Sequence, residues 1–163
     1  MYVRSYEESV CPICGGRLRC VGSRLRRYYN SRGEKEKLVI RRLQCSVCHR
    51  IHHELPDMLV PYKRYSAEVI ERIISRGPGG GVAGYPCEDS TARRLHSWFL
   101  DHLDIFQNTL ESIKYLHNND PDINRTINQL LPLRKFPGFP DGWLKALVRL
   151  LVNTKRWPQT RFA

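Results

Sequence analysis

Cys11-Pro12-Ile13-Cys14-Gly15-Gly16 and Cys45-Ser46-Val47-Cys48-His49 are the two stretches that decide how this chain is read. Each CxxC sets two thiolates on one tight turn, and two such turns can complete a tetrahedral four-sulfur site. The stretch between them, Gly15 to Gln44, has room for two or three short strands. The spacing therefore predicts a zinc ribbon, with Zn2+ on Cys11, Cys14, Cys45 and Cys48. Disulfides are the weaker reading, because a bridge inside a CxxC closes almost no loop and nothing marks the chain as secreted. Cys20 and Cys87 stand outside the pairs and read as ordinary free thiols. His49, His52 and His53 crowd the second knuckle. A Cys-to-His ligand exchange is conceivable there, but histidines so placed more often pack, hydrogen-bond or touch phosphate, and the four cysteines suffice.

Working outward from the knuckles, Arg17-Leu18-Arg19-Cys20-Val21 alternates basic and apolar residues with the period of a half-buried strand. Gly22-Ser23 interrupts it, and Arg24-Leu25-Arg26-Arg27-Tyr28-Tyr29 resumes. Asn30-Ser31-Arg32-Gly33 is a turn signal. Lys37 to Gln44 reads as a further strand running directly into the second knuckle. Arginines on these strands, interleaved with Tyr28 and Tyr29, suit phosphates with sugar or base packed beside them. A sheet whose exposed side is merely charged is the plainer alternative.

Composition points the same way. The chain has 163 residues, with 27 Lys and Arg against 16 Asp and Glu, a formal charge of +11. Residues 1–65 hold 14 basic and 6 acidic side chains, net +8, whereas residues 66–163 hold 13 and 10, net +3. The cysteine-bearing half is the electropositive half, which suits a polyanion better than an acidic small molecule. The N-terminus lacks the apolar core of a secretory signal, and no apolar run reaches the ~18 residues that a membrane helix needs. A cytoplasmic protein with no membrane partner is the expectation, in a compartment that keeps thiols reduced.

The spacing predicts an α+β chain: a ribbon over residues 1–61, a helical region over 62–118, and a helical segment with a basic tail over 119–163. Ser66 can cap a helix from Ala67 to Arg76 whose apolar stripe is Val69, Ile70, Ile73 and Ile74. Gly77-Pro78-Gly79-Gly80-Gly81 breaks it, and a brief element over Val82 to Tyr85 stops at Pro86. Asp89-Ser90 offers an N-cap to the next helix. Leu95, Phe99, Leu103, Phe106, Leu110 and Ile113 recur near the heptad period over Thr91 to His117, as one helix or two with a kink. That seam is an intramolecular core or the face of a homodimer. Asn118-Asn119-Asp120-Pro121 ends the run, and a short helix follows over Ile123–Leu131. Pro132 to Pro140 reads as a loop, Asp141 to Thr154 as an amphipathic helix, and the basic tail either docks on the body or reaches into nucleic acid.

Two helices in that order read as a helix-turn-helix whose second member would present Thr91, Arg93, Arg94 and Ser97 to the major groove. Arginine can bind guanine bidentately there, and Ser or Thr can bond phosphate or a base edge. Arg24, Arg26, Arg27, Arg41, Arg42, Lys63 and Arg64 are the expected phosphate contacts. The connection between the helices is longer and richer in glycine than a tight helix-turn-helix has.

The run Cys11-Pro12-Ile13-Cys14-Gly15-Gly16, then Leu38 to Cys48, then His53 to Tyr65 resembles a bacterial family of zinc-ribbon proteins bearing a domain of unknown function. Similar ribbon-plus-helix segments stand at the N-termini of transposase-like proteins of mobile elements. The likeness is best over residues 10–100, and it implies a DNA-binding protein associated with transposition or recombination, with a recombinase or transposase as partner. About 60 residues follow that region, too few for an RNase H-type nuclease with its three carboxylates. Asp101 and Asp104 have the spacing of a solvated helix pair, and the glycine run lacks the Lys-Ser/Thr of a phosphate loop. A non-enzymatic, zinc-dependent binder of double-stranded DNA is therefore expected. An RNA-binding ribbon, or an adaptor for a recombinase or polymerase, are the other classes that the residues allow.

Overall fold

The computed structural model describes residues 10–79 and 84–158. It divides into two compact units, Met1–Ser66 and Ala67–Ala163. The architecture is α+β, with a small antiparallel sheet in the first unit and helices in the second.

In the first unit, β1 (Leu18–Tyr29), β2 (Lys35–Cys45) and β3 (Ile51–His53) form a three-stranded sheet in the order β1-β2-β3. The first two make one long hairpin, paired from Leu18↔Cys45 to Tyr29↔Lys35. The interruption expected at Gly22-Ser23 is a local irregularity within one strand. The register shifts between Cys20 and Gly22, and Gly22 adopts φ +149°, so the residue absorbs a β-bulge and pairing continues. At the far end the Asn30 side chain builds the turn, its Oδ1 accepting from the amides of Arg32 and Glu34 at 2.9 Å each. Gly33 supplies the left-handed conformation at φ +81°. The core is small: Tyr28, Leu38, Ile40 and Leu59, with Leu55 and Met58 packed against them. The unit runs past Pro61 to Ser66, because the Tyr29 amide donates to the Arg64 carbonyl and the Ser66 amide to the Tyr29 carbonyl.

The second unit comprises α1 (Ala67–Arg76), α2 (Asp89–Asp101), α3 (Leu103–Leu116), α4 (Pro121–Leu130), a 3-10 segment (Leu133–Gly138) and α5 (Trp143–Asn153). The stripe expected of α1 is buried in full, together with Glu71. That buried carboxylate caps α5, accepting from the amides of Gly142 at 2.7 Å and Leu144 at 2.8 Å. Glu88, rather than Asp89 or Ser90, takes the N-cap position of α2, and it makes no side-chain cap bond. The long helical run is two helices, parted at His102, whose Nδ1 lies 2.8 Å from the Trp98 carbonyl.

Leu95, Phe99, Phe106, Leu110 and Ile113 are buried inside this unit, which favours the intramolecular reading of the seam and leaves those five positions covered. Asp120 caps α4 through the amides of Asp122 and Ile123. The stretch expected as a loop after Pro132 holds the 3-10 segment, whose Leu133 and Phe136 are buried. The tail docks as far as it is described: Trp157 is buried against Phe106 and Trp98, and Arg156 reaches the Ser112 hydroxyl. The element expected from Val82 to Tyr85 falls partly, and the last residues of the tail wholly, outside the described residues. No helix among the described residues is long and apolar enough to cross a membrane.

Candidate metal centre and basic surface

The two CxxC turns have the same hydrogen-bond pattern. In the first, the Cys11 amide donates to the Gly16 carbonyl at 2.8 Å and the Gly15 amide to the Cys11 carbonyl at 2.9 Å. In the second, the Cys45 amide donates to Arg50 at 3.0 Å and the His49 amide to Cys45 at 3.1 Å. The residue after the second cysteine is left-handed in both, Gly15 at φ +74° and His49 at φ +59°. The turns also aim amides at sulfur: Ile13 at Cys11 Sγ, and both Val47 and Cys48 at Cys45 Sγ. Such bonds stabilise thiolate over thiol, the form that binds metal.

β2 delivers Cys45 to the first knuckle, and the Ser46 amide secures the junction by donating to the Arg17 carbonyl at 3.0 Å. At Gly16 the knuckles meet so closely that an added Cβ would lie 2.8 Å from Val47 Cγ2 and 2.9 Å from Cys45 Sγ.

The four sulfurs of Cys11, Cys14, Cys45 and Cys48 lie within 4.8 Å of one another, and this cluster could hold a metal ion. The Cys11–Cys48 and Cys14–Cys45 pairs are 3.6 and 3.4 Å apart. A disulfide requires ~2.05 Å, whereas a tetrahedron with ~2.3 Å zinc–sulfur bonds has edges of ~3.8 Å. The donor set thus fits zinc and does not fit pairwise oxidation. Hydrogen bonds from the amides of Cys48 and then Val47 bring the Cys45 thiol down to about 6, against the effect of burial. At Cys48 the Arg50 amide favours the thiolate, but burial and the neighbouring cysteine sulfurs outweigh it and push the thiol up to about 11. At Cys11, burial opposes ionisation and is outweighed by amide hydrogen bonds from Cys14 and Ile13, so its thiol is lowered.

Of the three nearby histidines, His52 brings its Nε2 to 3.4 Å from Cys11 Sγ. Burial, then the Arg50 charge, holds its pKa below the ordinary value and favours neutral imidazole. A neutral ring with its proton on Nε2 is an outer partner of a sulfur ligand. Cys20 and Cys87 stay outside the cluster.

The expected phosphate contacts separate into groups. Arg24, Arg26, Arg27 and Arg64 come together around one concavity, joined by Lys35, which the sequence reading passed over. Lys63 is drawn on at the backbone, its carbonyl accepting from Arg26 Nη2 at 2.7 Å. Arg41 is engaged within the unit by a bidentate pair with Glu54, both contacts at 2.6 Å. Arg42 pairs in register with His53 of β3 and is half-buried.

On α2, Ala92, Leu95 and Phe99 face inward, leaving Arg93, Arg94 and Ser97 exposed. Thr91 Oγ1 accepts from Arg94 Nη2 at 3.2 Å, and the Ser97 hydroxyl donates to Asp101. Exposed acids at Glu88, Asp89 and Asp101 flank the two arginines, so this positive face is narrow.

Fold and site together define a β-hairpin with a four-cysteine cluster that could hold a metal ion, followed in sequence by a helical unit. A family described as a domain of unknown function (DUF6431) matches residues 11–95, and the chain belongs to it. The match opens on Cys11, the first cysteine of the cluster, and closes on α2. No curated protein and no solved structure matches the chain.

Proposed function

We propose that this is a zinc-dependent DNA-binding protein without catalytic activity of its own. Zinc held by Cys11, Cys14, Cys45 and Cys48 would keep the hairpin folded, since a core this small gives little stability by itself. The observation that carries the reading is the charge on that unit. Residues 1–65 have a net charge of +8, and much of the positive charge lies on β1 and β2, whose roots lie beside the four cysteines. A surface of that sign attracts a polyanion by long-range steering and by counterion release.

The exposed face of α2, with Arg93, Arg94, Ser97 and Thr91, is the part suited to reading base edges in a major groove. The likeness to N-terminal segments of transposase-like proteins supports an accessory or regulatory role on a mobile element, with a recombinase or transposase as protein partner. Tyr29, at the wall of the basic concavity, favours RNA as the second reading, because unstacked bases pack on aromatic rings.

Fluorescence anisotropy of the zinc-loaded protein against matched duplex DNA, single-stranded DNA and RNA, across a salt series, tests this. Preference for duplex with a steep salt slope is expected, and Arg93→Ala with Arg94→Ala should relax sequence preference. Equal or tighter binding of RNA selects the second reading. No binding to any of the three at low salt rejects both.

A further inference from the structure

β1 is the edge strand of the sheet, and along it lies a concavity of about 490 Å³. Arg24, Arg26, Arg27, Lys35 and Arg64 line it with Tyr29, and no carboxylate is among its lining residues that the structure describes. Its volume falls within the ~300–1,000 Å³ of ordinary ligand sites.

Arg26 shows that the cavity is more than a fringe of solvated charges. Its Nη2 is tied to the Lys63 carbonyl at 2.7 Å, which fixes the guanidinium, while its Nε is buried without a hydrogen-bond partner among the described residues. Anchored this way, the guanidinium stands at the wall of the cavity with no carboxylate partner among the described residues. Arg41 provides the internal contrast, because there the same sheet supplies Glu54 as a bidentate partner.

Burial first, then the charges of Arg24 and Arg64, lower the pKa of Arg26, so these cations repel one another across the cavity. Four of the five cations are arginines, whose planar forks match phosphate oxygens two at a time. Tyr29 is braced by stacking on Tyr65, with ring centroids 5.1 Å apart, and gives the wall a fixed apolar surface beside the charges.

We propose that this concavity is a phosphodiester-binding site, in which Arg26, Arg24 and Arg64 hold the backbone of a nucleic acid along the edge of β1. The proposal rests on the nucleic-acid reading above and names where its phosphates bind. Arginine contacts of this kind fix position and carry little sequence information.

The test compares the zinc-loaded full chain with Arg26→Gln plus Arg64→Gln, and with Arg125→Gln as a control from the exposed surface of α4. Duplex affinity should fall about tenfold or more in the double variant, with a salt slope shallower by ~1–2, and should hold in the control. In a parallel arm, inorganic tripolyphosphate should shift the Arg26 Nε–Hε NMR signal of the wild type. Arg64→Gln alone, at an exposed position, serves if the double variant loses its zinc or its amide dispersion.

Wild-type duplex binding that the variants leave unchanged in affinity and slope overturns this site and spares the nucleic-acid reading. If the wild type binds no nucleic acid, that reading fails, and the tripolyphosphate arm decides: a shift at Arg26 keeps a phosphate site, and silence overturns it. Tighter occupation by an oligoglutamate peptide than by tripolyphosphate also overturns it, in favour of an acidic strand added to β1.

Discussion

The first unit packs Tyr28, Leu38, Ile40 and Leu59 together as a small apolar cluster, and gathers four sulfurs at the hairpin's root. The second unit holds its helices around Phe99, Phe106, Leu110, Ile113, Trp143 and Trp157, all buried, with aromatic rings in mutual contact. Charge follows the same division. Where a core is small and a four-cysteine cluster that could hold a metal gathers the chain, most of the sheet's surface is left for arginine. Where apolar packing does the holding, ionisable groups are drawn into structural tasks, as Glu71 is at the start of α5. On the proposed reading, stability and binding surface come from different side chains in the first unit, so a narrow hairpin can carry much positive charge.

The comparison predicts opposite responses to two substitutions. Cys45→Ser should abolish the sheet's amide dispersion in NMR spectra while the helical signals persist, since structural zinc contributes on the order of 10 kcal/mol to folding. Phe99→Ala should destabilise the helices by ~3–5 kcal/mol in denaturant titrations and leave zinc affinity unchanged. Loss of both units from either change would break the comparison.

A smaller effect is expected at Gly16, where alanine would press on Val47 and on Cys45 Sγ. Gly16→Ala should weaken zinc binding in chelator competition without altering the melting of the helices.

Zinc affinity should also rise with pH. The Cys48 thiol, pushed up to about 11, must give up its proton to bind metal at neutral pH, whereas Cys45, brought down to about 6, is already largely thiolate there. Titration calorimetry in buffers of different ionisation enthalpy should therefore detect proton release, and affinity should fall about tenfold per pH unit for each proton displaced. The smallest change expected is a gain. His49 holds a left-handed conformation at φ +59° that glycine adopts freely, so His49→Gly should stabilise the loaded first unit by about 1 kcal/mol.

Local chemistry is where the sequence was most informative. The paired CxxC turns, the Asn30–Gly33 turn and the span of α1 follow from neighbours a few residues apart, and the structure has each of them in place. The interruption at Gly22 was legible, but that it is a β-bulge with pairing kept on both sides shows only once the partner strand is known. The break at His102 had no proline or glycine to announce it. Long-range pairing hid the remainder. Glu71 reads as an ordinary helix-surface acid until α5 arrives to be capped, and Lys35 as a turn-flanking charge until β2 returns it beside Tyr29. Arg41 and Arg26 are indistinguishable in sequence, and only the placement of Glu54 separates the arginine with a carboxylate partner from the one without.

The most direct test of the account is stepwise removal of zinc by a chelator, with duplex binding and the amide spectrum followed in the same sample. The account predicts that one metal ion leaves per chain, and that the sheet's signals and duplex affinity disappear together while the helical signals remain. Duplex binding that survives loss of the sheet, or a sheet that survives loss of the metal, would contradict it.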